Sequence, residues 1–437
     1  MGRLAVNGGR PIREKQFPSW PVWDKREERA LLEVLHSGKW WRFSYGVGVE
    51  LKEPESGDRS RVVEFQEQFA RFHESQFGIA CANGTAAIEI LLKALGVGPG
   101  DEVIVPAYTY VATATAVLQV NAIPIFVDID PNTYNIDARR AEEAITPQTR
   151  AIIPVHFAGQ PADMDAILAL AKKHGLFVVE DAAHAHGSEW NGRKVGALGA
   201  GGTFSFQASK NMTAGEGGLI TTNDRNVAEL CESYLWAGRQ AGRPWYEHHR
   251  LGWNYRLTEF QGAILVQQLT RLEEQNARRA ENAAHLSNRL RTIPGIQPLA
   301  VDARVTRHSY HIYMLRFSEE EFGGVPRANL LRALAAEGIP CMGGYSHPLY
   351  QNPMFLNKDF YPRGCPVTCG HYNKPLDYAQ FEALCPVSER ACASEAVWLE
   401  HRLLLGDKKD MDDIADAFEK VYANAVELRT ATAANRG

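Results

Sequence analysis

The sequence predicts an α/β protein: a large domain whose mostly parallel mixed sheet is covered by helices, followed by a smaller C-terminal α+β domain. Three observations carry that expectation. Strand-like and helix-like patterns alternate from about residue 80 to 225, as in a parallel sheet with crossover helices. One helical pattern, Thr258 to Arg291, is much longer than an ordinary globular helix and stops before Pro294, so it is expected to bridge two bodies. A chain of 437 residues also exceeds what one ordinary hydrophobic core organises.

The elements follow in order. Residues 1–43 read as an N-terminal arm and first helix, and 44–61, "SYGVGVELKEPESGDRSR", as a polar, glycine-bearing insertion loop. The large domain is expected over 62–257. In it, "TAAIEILLKALG" has apolar residues at helical spacing, and "DEVIVP" is a buried-strand run stopped by Pro106. "TRAIIPVHFAG" reads as a strand, "DMDAILALAKKHG" as an amphipathic helix with a glycine stop, and "LFVVED" as a further strand. "GGTFSF" and "GGLITTND" are two short strands joined by a connection that holds Lys210. The long helix occupies 258–291. The small domain, 292–428, contains a strand in "HSYHIYMLRF", a helix in "ANLLRALAAEGI" and a C-terminal helix in "DMDDIADAFEKVYANAVEL". Residues 429–437 read as a frayed tail.

Composition narrows the function. Hydrophobic residues at 45% and charged residues at 23% describe a soluble globular chain. A formal net charge of −5, with basic residues scattered among acidic ones, argues against nucleic acid or an anionic membrane as the partner. The N-terminus lacks the apolar core of a signal peptide and no run is long enough to span a bilayer, so a cytoplasmic location is expected. Seven cysteines in so long a chain do not suggest a disulfide framework. Cys365, Cys369, His371 and Cys385 cluster in sequence, but without the tight paired spacing of a structural zinc site, and no metal is expected.

The chemistry centres on "FSFQASKNMTAGEGG", where Lys210 sits among small hydroxyl and glycine residues on a connection between strands. A lysine that forms an imine must lose its proton, which a partly dry, polar-lined pocket favours. Pyridoxal phosphate is the cofactor that uses such a lysine, and it needs an acid at its pyridinium nitrogen, donors for its phosphate and a flat partner for its ring. Asp181 closes the run "LFVVED" and is expected at the carboxyl end of a buried strand, where open α/β sheets bind ligands. Gly84 and Thr85 open a helix in "NGTAAIEIL", offering backbone N–H groups to an anion; an ordinary Asn83 cap accounts for the same letters. Ser205 supplies a hydroxyl just before the lysine connection, and Tyr110, in "PAYTYVAT", a ring. Each feature alone has a plain structural explanation. Their succession within one α/β domain favours the cofactor.

These residues resemble the pyridoxal-phosphate-dependent sugar aminotransferases of the DegT/StrS type. The likeness runs through "LAVNGGRPI", "NGTAAI", "GPGDEVIVPAYTYVATA", "PVHFAGQPADMD", "VVEDAAHAHG", "FSFQASKNMTAGEGG" and "GWNYRLTEFQGAIL", nearly the whole chain. It implies the type I aminotransferase fold and a homodimer whose sites are shared between subunits. It implies that Lys210 carries the cofactor as a Schiff base and shuttles the proton, and that Asp181 pairs with the pyridine nitrogen. Gly84, Thr85 and Ser205 are implied as phosphate ligands, Tyr110 as the stacking ring, and Asn254 as a group reaching the phosphate of the neighbouring subunit. His184 stands where most members have a glutamine. "GKWWR", "EDAAHAHG" and "VWLEHRLLLG" resemble the branch of ketocyclitol aminotransferases and 3-amino-5-hydroxybenzoate synthase. Trp41, Arg42, His308, His311 and His401 are substrate-side candidates; on a strand His308 and His311 would face opposite sides, so at most one points inward.

The resulting expectation is transfer of an amino group from glutamate or glutamine to a keto-sugar or ketocyclitol. Two alternatives stand beside it. One is an aromatising dehydratase like 3-amino-5-hydroxybenzoate synthase; the other is a catalytically idle, cofactor-binding regulatory protein.

Overall fold

The computed structural model describes residues 2–49, 59–361, 364–367, 370–372 and 374–429. Half of the polar insertion, 50–58, lies outside the described residues, as do Cys369 and 430–437 of the tail. The near end of the insertion is folded: Arg42–Tyr45 form a 3₁₀ turn, and Tyr45 and Val47 are buried. Its far end is Ser60, whose hydroxyl accepts from the Val63 amide and caps the helix Arg61–Phe72.

The large body is built on seven strands: β1 Phe77–Cys81, β2 Glu102–Pro106, β3 Ile123–Val127, β4 Thr149–Ile152, β5 Phe177–Asp181, β8 Gly201–Ser205 and β9 Gly218–Thr222. Two short strands, β6 Glu189–Trp190 and β7 Arg193–Lys194, join β11 Val305–Arg307 in a separate ribbon. The main sheet has the order β1-β9-β8-β5-β4-β2-β3, and only β9 runs against the others. Six carboxyl ends therefore share one edge, with β5, β8 and β4 adjacent at its centre. Their residues are almost continuously apolar and buried because helices cover both faces.

The covering helices include α1 Lys25–Ser37, α2 Arg61–Phe72, α3 Gly84–Ala94, α4 Ala112–Gln119, α5 Ala138–Glu143, α6 Met164–His174 and α7 Arg225–Leu235. Glycine stops α6 as its sequence suggests, with Gly175 in the left-handed region at φ 67°. The expected long helix is α8, Glu259–Leu290. Thr258 and Gln261 form a reciprocal capping box at its start, so the boundary matches the pattern in the sequence. No helix among the described residues is long and apolar enough to cross a membrane.

The second body has an antiparallel sheet of β10 Ile296–Pro298, β12 Ile312–Phe317 and β13 Ala396–Glu400, covered by α9 Arg327–Ala336 and the helix Lys408–Ala423. Leu4 and Phe17 of the N-terminal arm sit in its core. Two expectations need correction. The strand in "HSYHIYMLRF" begins only at Ile312, because Tyr310 adopts φ 48° and breaks the extended run. The segment around Leu349–Cys385, expected in the small domain, packs Tyr350, Phe355, Tyr378 and Phe381 around Phe126 of the large core. The edge-to-face rings around Phe126 hold the segment on the large core.

Candidate active site

A cavity of about 780 Å³ opens at the carboxyl edge of the main sheet. Its position follows from strand direction: chains leaving β2, β5 and β8 all turn there. Asp181 is the last residue of β5 and is buried. Its Oδ2 accepts from Thr113 Oγ1 at 2.8 Å and its Oδ1 from the Ala183 amide at 3.2 Å. Burial raises its pKa, opposed by those two hydrogen bonds and by the charge of Lys210. Its neighbour Glu180 points to the opposite face, as strand alternation requires. There Glu180 accepts from the Gly196, Leu198 and Gly199 amides and contacts His156 Nε2. One of two adjacent acids ties a loop; the other faces the cavity.

Lys210 lines the same cavity. Its amide closes a turn onto the Gln207 carbonyl at 2.9 Å, and its side chain is partly buried. Among the described residues its ammonium makes no hydrogen bond or ion pair. Burial pushes its pKa down to about 8, with the Asp181 charge acting the other way. The glycines that follow serve the turn: Gly215 has φ 83°, and a Cβ on Gly218 would fall 2.3 Å from the Asn83 carbonyl oxygen.

That contact draws the lysine connection against the start of α3. Asn83 caps this helix through the Ala86 amide at 2.9 Å, so the ordinary cap is real. The cap leaves the amides of Gly84 and Thr85 at the first turn without intrahelical acceptors, and both residues line the cavity. Gly84 is required by packing, since a Cβ there would lie 2.8 Å from Ser205 Cβ. Ser205 ends β8 beside it, and its Oγ accepts from the Gln207 amide at 3.4 Å. Tyr110 stands at the rim with 59% of its surface exposed, a ring without a stacked neighbour among the described residues.

His184 also lines the cavity, buried, its ring 4.3 Å from that of His311. Its Nδ1 has no hydrogen-bond partner. Burial, with the charge of Lys210, holds its pKa well below the ordinary histidine value, so the ring is neutral. His311 faces the cavity while His308 points away, stacked on Tyr310 at 3.7 Å and lining a separate 190 Å³ space; one of the pair points inward.

Four further candidates lie outside the cavity. Arg42 is buried and fully engaged: Nη1 and Nη2 donate to Glu232 at 2.9 and 2.6 Å, Nη1 to Gln66 and Nη2 to the Gly48 carbonyl. It holds the 3₁₀ turn to α7 and is not available to a substrate in its own chain's cavity. Trp41 stacks on Trp236 nearby. His401 uses both ring nitrogens, on Arg279 Nη2 at 3.2 Å and the Ser209 carbonyl at 3.0 Å. Asn254 is exposed and does not line the cavity of its own chain.

Several cavity residues carry no signal in the sequence. Thr113 lies in the first turn of α4, and its hydroxyl donates to Asp181 at the sheet edge. Glu89, on α3, is buried and held up to about 7 by burial. Tyr345 and Trp398 arrive from the small body. Reading Glu89 as a cavity acid was possible only from its place five residues into a helix whose first turn is already at the cavity.

A depressed lysine, a buried acid and an open helix N-terminus around one cavity of a doubly covered parallel sheet define a lysine-centred α/β enzyme of the aminotransferase kind. The comparisons with known proteins make that specific. Residues 56–384 match the model of the DegT/DnrJ/EryC1/StrS aminotransferase family, and the chain belongs to that family. It is 41% identical, over 98% of this chain and 99% of the relative, to a protein of Streptoalloteichus tenebrarius provisionally named an L-glutamine:3-amino-2,3-dideoxy-scyllo-inosose aminotransferase. It is 40% identical, over 98% and 100%, to the L-glutamine:2-deoxy-scyllo-inosose aminotransferase of Micromonospora echinospora. The crystal structure of 3-amino-5-hydroxybenzoic acid synthase matches with a TM-score of 0.81 at 34% identity, covering 94% of this chain and 99% of that one. A provisionally named sugar aminotransferase of Streptococcus pneumoniae, solved in its PLP form, matches with a TM-score of 0.76 at 25% identity over 94% and 99%. The protein is an aminotransferase.

Proposed function

We propose that this aminotransferase moves an amino group from L-glutamine to the ketone of a cyclitol of the scyllo-inosose class, using pyridoxal 5′-phosphate. The observation that carries the reading is Lys210: a partly buried, unpaired ammonium of lowered pKa, in the cavity that Asp181 also faces. The residues fit the cofactor on three counts. The Gly84 and Thr85 amides and Ser205 Oγ form a cradle for a phosphate, narrowed by the contact that forbids a Cβ at position 84. The orphaned Nδ1 of His184 is a buried polar atom that a ring hydroxyl would satisfy. Asp181 is the buried acid suited to a pyridinium nitrogen, and Tyr110 is a free ring at the rim.

When bound, pyridoxal phosphate supplies an electrophilic carbonyl and an electron sink for the bond being broken. This chain's residues do the rest. Lys210 Nζ would hold the cofactor by its carbonyl carbon and, once free, would serve as the base that takes the proton from the donor's α-carbon. Asp181, whose carboxylate accepts from the Thr113 hydroxyl and the Ala183 amide, would face the ring nitrogen and favour its protonated form. The cavity walls, with Trp398 and Tyr345 from the small body, exclude water during the transfer.

Glutamine and a cyclitol, in place of glutamate and a nucleotide-linked sugar, are supported by full-length relatives at about 40% identity that carry those names. Those relatives also weigh toward transfer and away from the dehydratase alternative raised by the structural likeness to 3-amino-5-hydroxybenzoic acid synthase. An active homodimer with shared sites is part of the reading. Its support is that Asn254 is exposed and does not line its own cavity, while Trp23, Trp40, Trp245 and Tyr246 stand exposed. The test is turnover of scyllo-inosose and 2-deoxy-scyllo-inosose with L-glutamine, beside a nucleotide-linked keto-sugar. An aminocyclitol product is expected; turnover of the keto-sugar alone overturns the assignment.

A further inference from the structure

Arg279 is a cation without an anion. It lies two-thirds of the way along α8, has no exposed surface, and among the described residues has no carboxylate at ion-pair distance. Its guanidinium donates to Asn276 Oδ1 at 3.0 Å and to His401 Nδ1 at 3.2 Å, and its Nε has no partner. Burying an unpaired charge is strongly unfavourable, and an apolar side chain would fill the same space without that penalty. The charge therefore needs a function.

Its contacts lead to the cavity by two routes. A guanidinium has no acceptor, so His401 Nδ1 must accept, and the ring proton is placed on Nε2. That N–H donates to the Ser209 carbonyl at 3.0 Å, the carbonyl of the peptide that joins Ser209 to Lys210. The second route runs through Asn276, three residues earlier on the same face of α8. Asn276 Nδ2 donates to the His186 carbonyl at 2.8 Å, on the segment that leaves Asp181. Two neighbouring polar residues on the connecting helix thus hold both segments that face the cavity. The lysine turn is gripped on either side as well: Trp20 Nε1 donates to the Ala208 carbonyl at 2.9 Å, and Asn211 Nδ2 to the Ser309 carbonyl at 2.7 Å.

We propose that Asn276, Arg279 and His401 form a positioning relay that sets Lys210 against Asp181 from the long helix. The proposal rests on the reading of Lys210 as the cofactor lysine. His401, a substrate-side candidate in the sequence, becomes a positioning residue. The guanidinium, which lies over the Trp20 ring at 5.6 Å, has a second effect: burial holds the His401 pKa well below the ordinary histidine value and the Arg279 charge adds to it, so the ring stays neutral with Nδ1 free to accept. The His401 donor is thereby kept on the Ser209 carbonyl.

The test uses full-length wild type, Arg279→Met, His401→Phe and His401→Gln, each loaded with pyridoxal phosphate. Three quantities are read: the pH midpoint of the absorption band of the lysine-bound cofactor, backbone hydrogen exchange across residues 207–212, and kcat with KM for glutamine. Asp181, His184 and His311, which face the cavity with Lys210, stay in place in every variant. Arg279→Met and His401→Phe are expected to bind the cofactor, move the midpoint by about half a unit or more, and speed exchange across the turn about tenfold. Their kcat should fall about 10- to 100-fold with KM for glutamine nearly constant. His401→Gln, whose amide can still donate to the Ser209 carbonyl, should recover most of the midpoint and exchange. A merely structural arginine would lower the melting temperature and leave the midpoint and exchange of the folded protein unchanged, and that result overturns the proposal. If Arg279→Met does not fold, the His401→Phe and His401→Gln pair decides it by the same readings. Absence of any cofactor band in the wild type would instead overturn the cofactor reading itself.

Discussion

Arg42 and Lys210 are both cations drawn out of water, and their surroundings are opposite. Arg42 meets a carboxylate in a two-pronged ion pair and two further acceptors, so both terminal nitrogens are engaged within the chain. Lys210 lines a cavity and has no acceptor among the described residues, and burial lowers its pKa against the charge of Asp181. Buried charge with full pairing marks architecture. Buried charge left unpaired beside a cavity marks chemistry. Arg279 is a third case, without an ion-pair partner among the described residues yet outside the lining of the cavity, and its chain of hydrogen bonds ends on the Ser209 carbonyl, next to Lys210.

The difference can be tested by attacking each site in turn. Replacing Lys210 with Met should remove the proton carrier and lower kcat/KM on the order of 10⁴-fold or more, without loss of fold. Retention of more than a hundredth of wild-type turnover would contradict it. Glu232→Ala should act in the reverse sense: a loss of about 3–5 kcal/mol of stability in denaturant titration, because the Arg42 charge is stranded. Turnover per folded molecule should stay near wild type, and a selective loss of activity would move Arg42 back toward the substrate. Asp181→Asn keeps the shape and removes the charge, so the cofactor should still bind while kcat drops about 100- to 1000-fold. The smallest effect concerns stability. The lysine pKa falls from 10.5 to about 8 on folding, so the unfolded chain binds more protons between those values and the penalty is complete below about pH 8. Lys210→Met should therefore stabilise the cofactor-free protein on the order of 2 kcal/mol at neutral pH. That gain should shrink as pH rises from 8 toward 10.5 in calorimetric scans.

The sequence made local features legible. Gly175 and the Thr258–Gln261 box mark helix ends because capping is decided within a few residues. Asp181 could be placed at a strand end by the apolar run before it, and Lys210 by the turn residues after it. What escaped was set by distant partners. Arg42 looked free because Glu232 lies 190 positions away, and His401 looked like a ligand because Arg279 lies 122 positions away. Thr113 and Glu89 follow an ordinary helical pattern, and only the sheet's geometry turns them toward the cavity. The aromatic stretch Tyr350–Phe381 was assigned to the wrong body because its partner, Phe126, is a single strand residue far upstream.

The most direct measurement is the absorption spectrum of the purified protein with pyridoxal phosphate, before and after L-glutamine, beside Lys210→Ala. The account predicts a band of lysine-bound cofactor in the wild type that converts to the pyridoxamine form on adding glutamine, with no lysine-bound band in the variant. A wild type that forms no such band when supplied with the cofactor, or a band that no amino donor shifts, would contradict it.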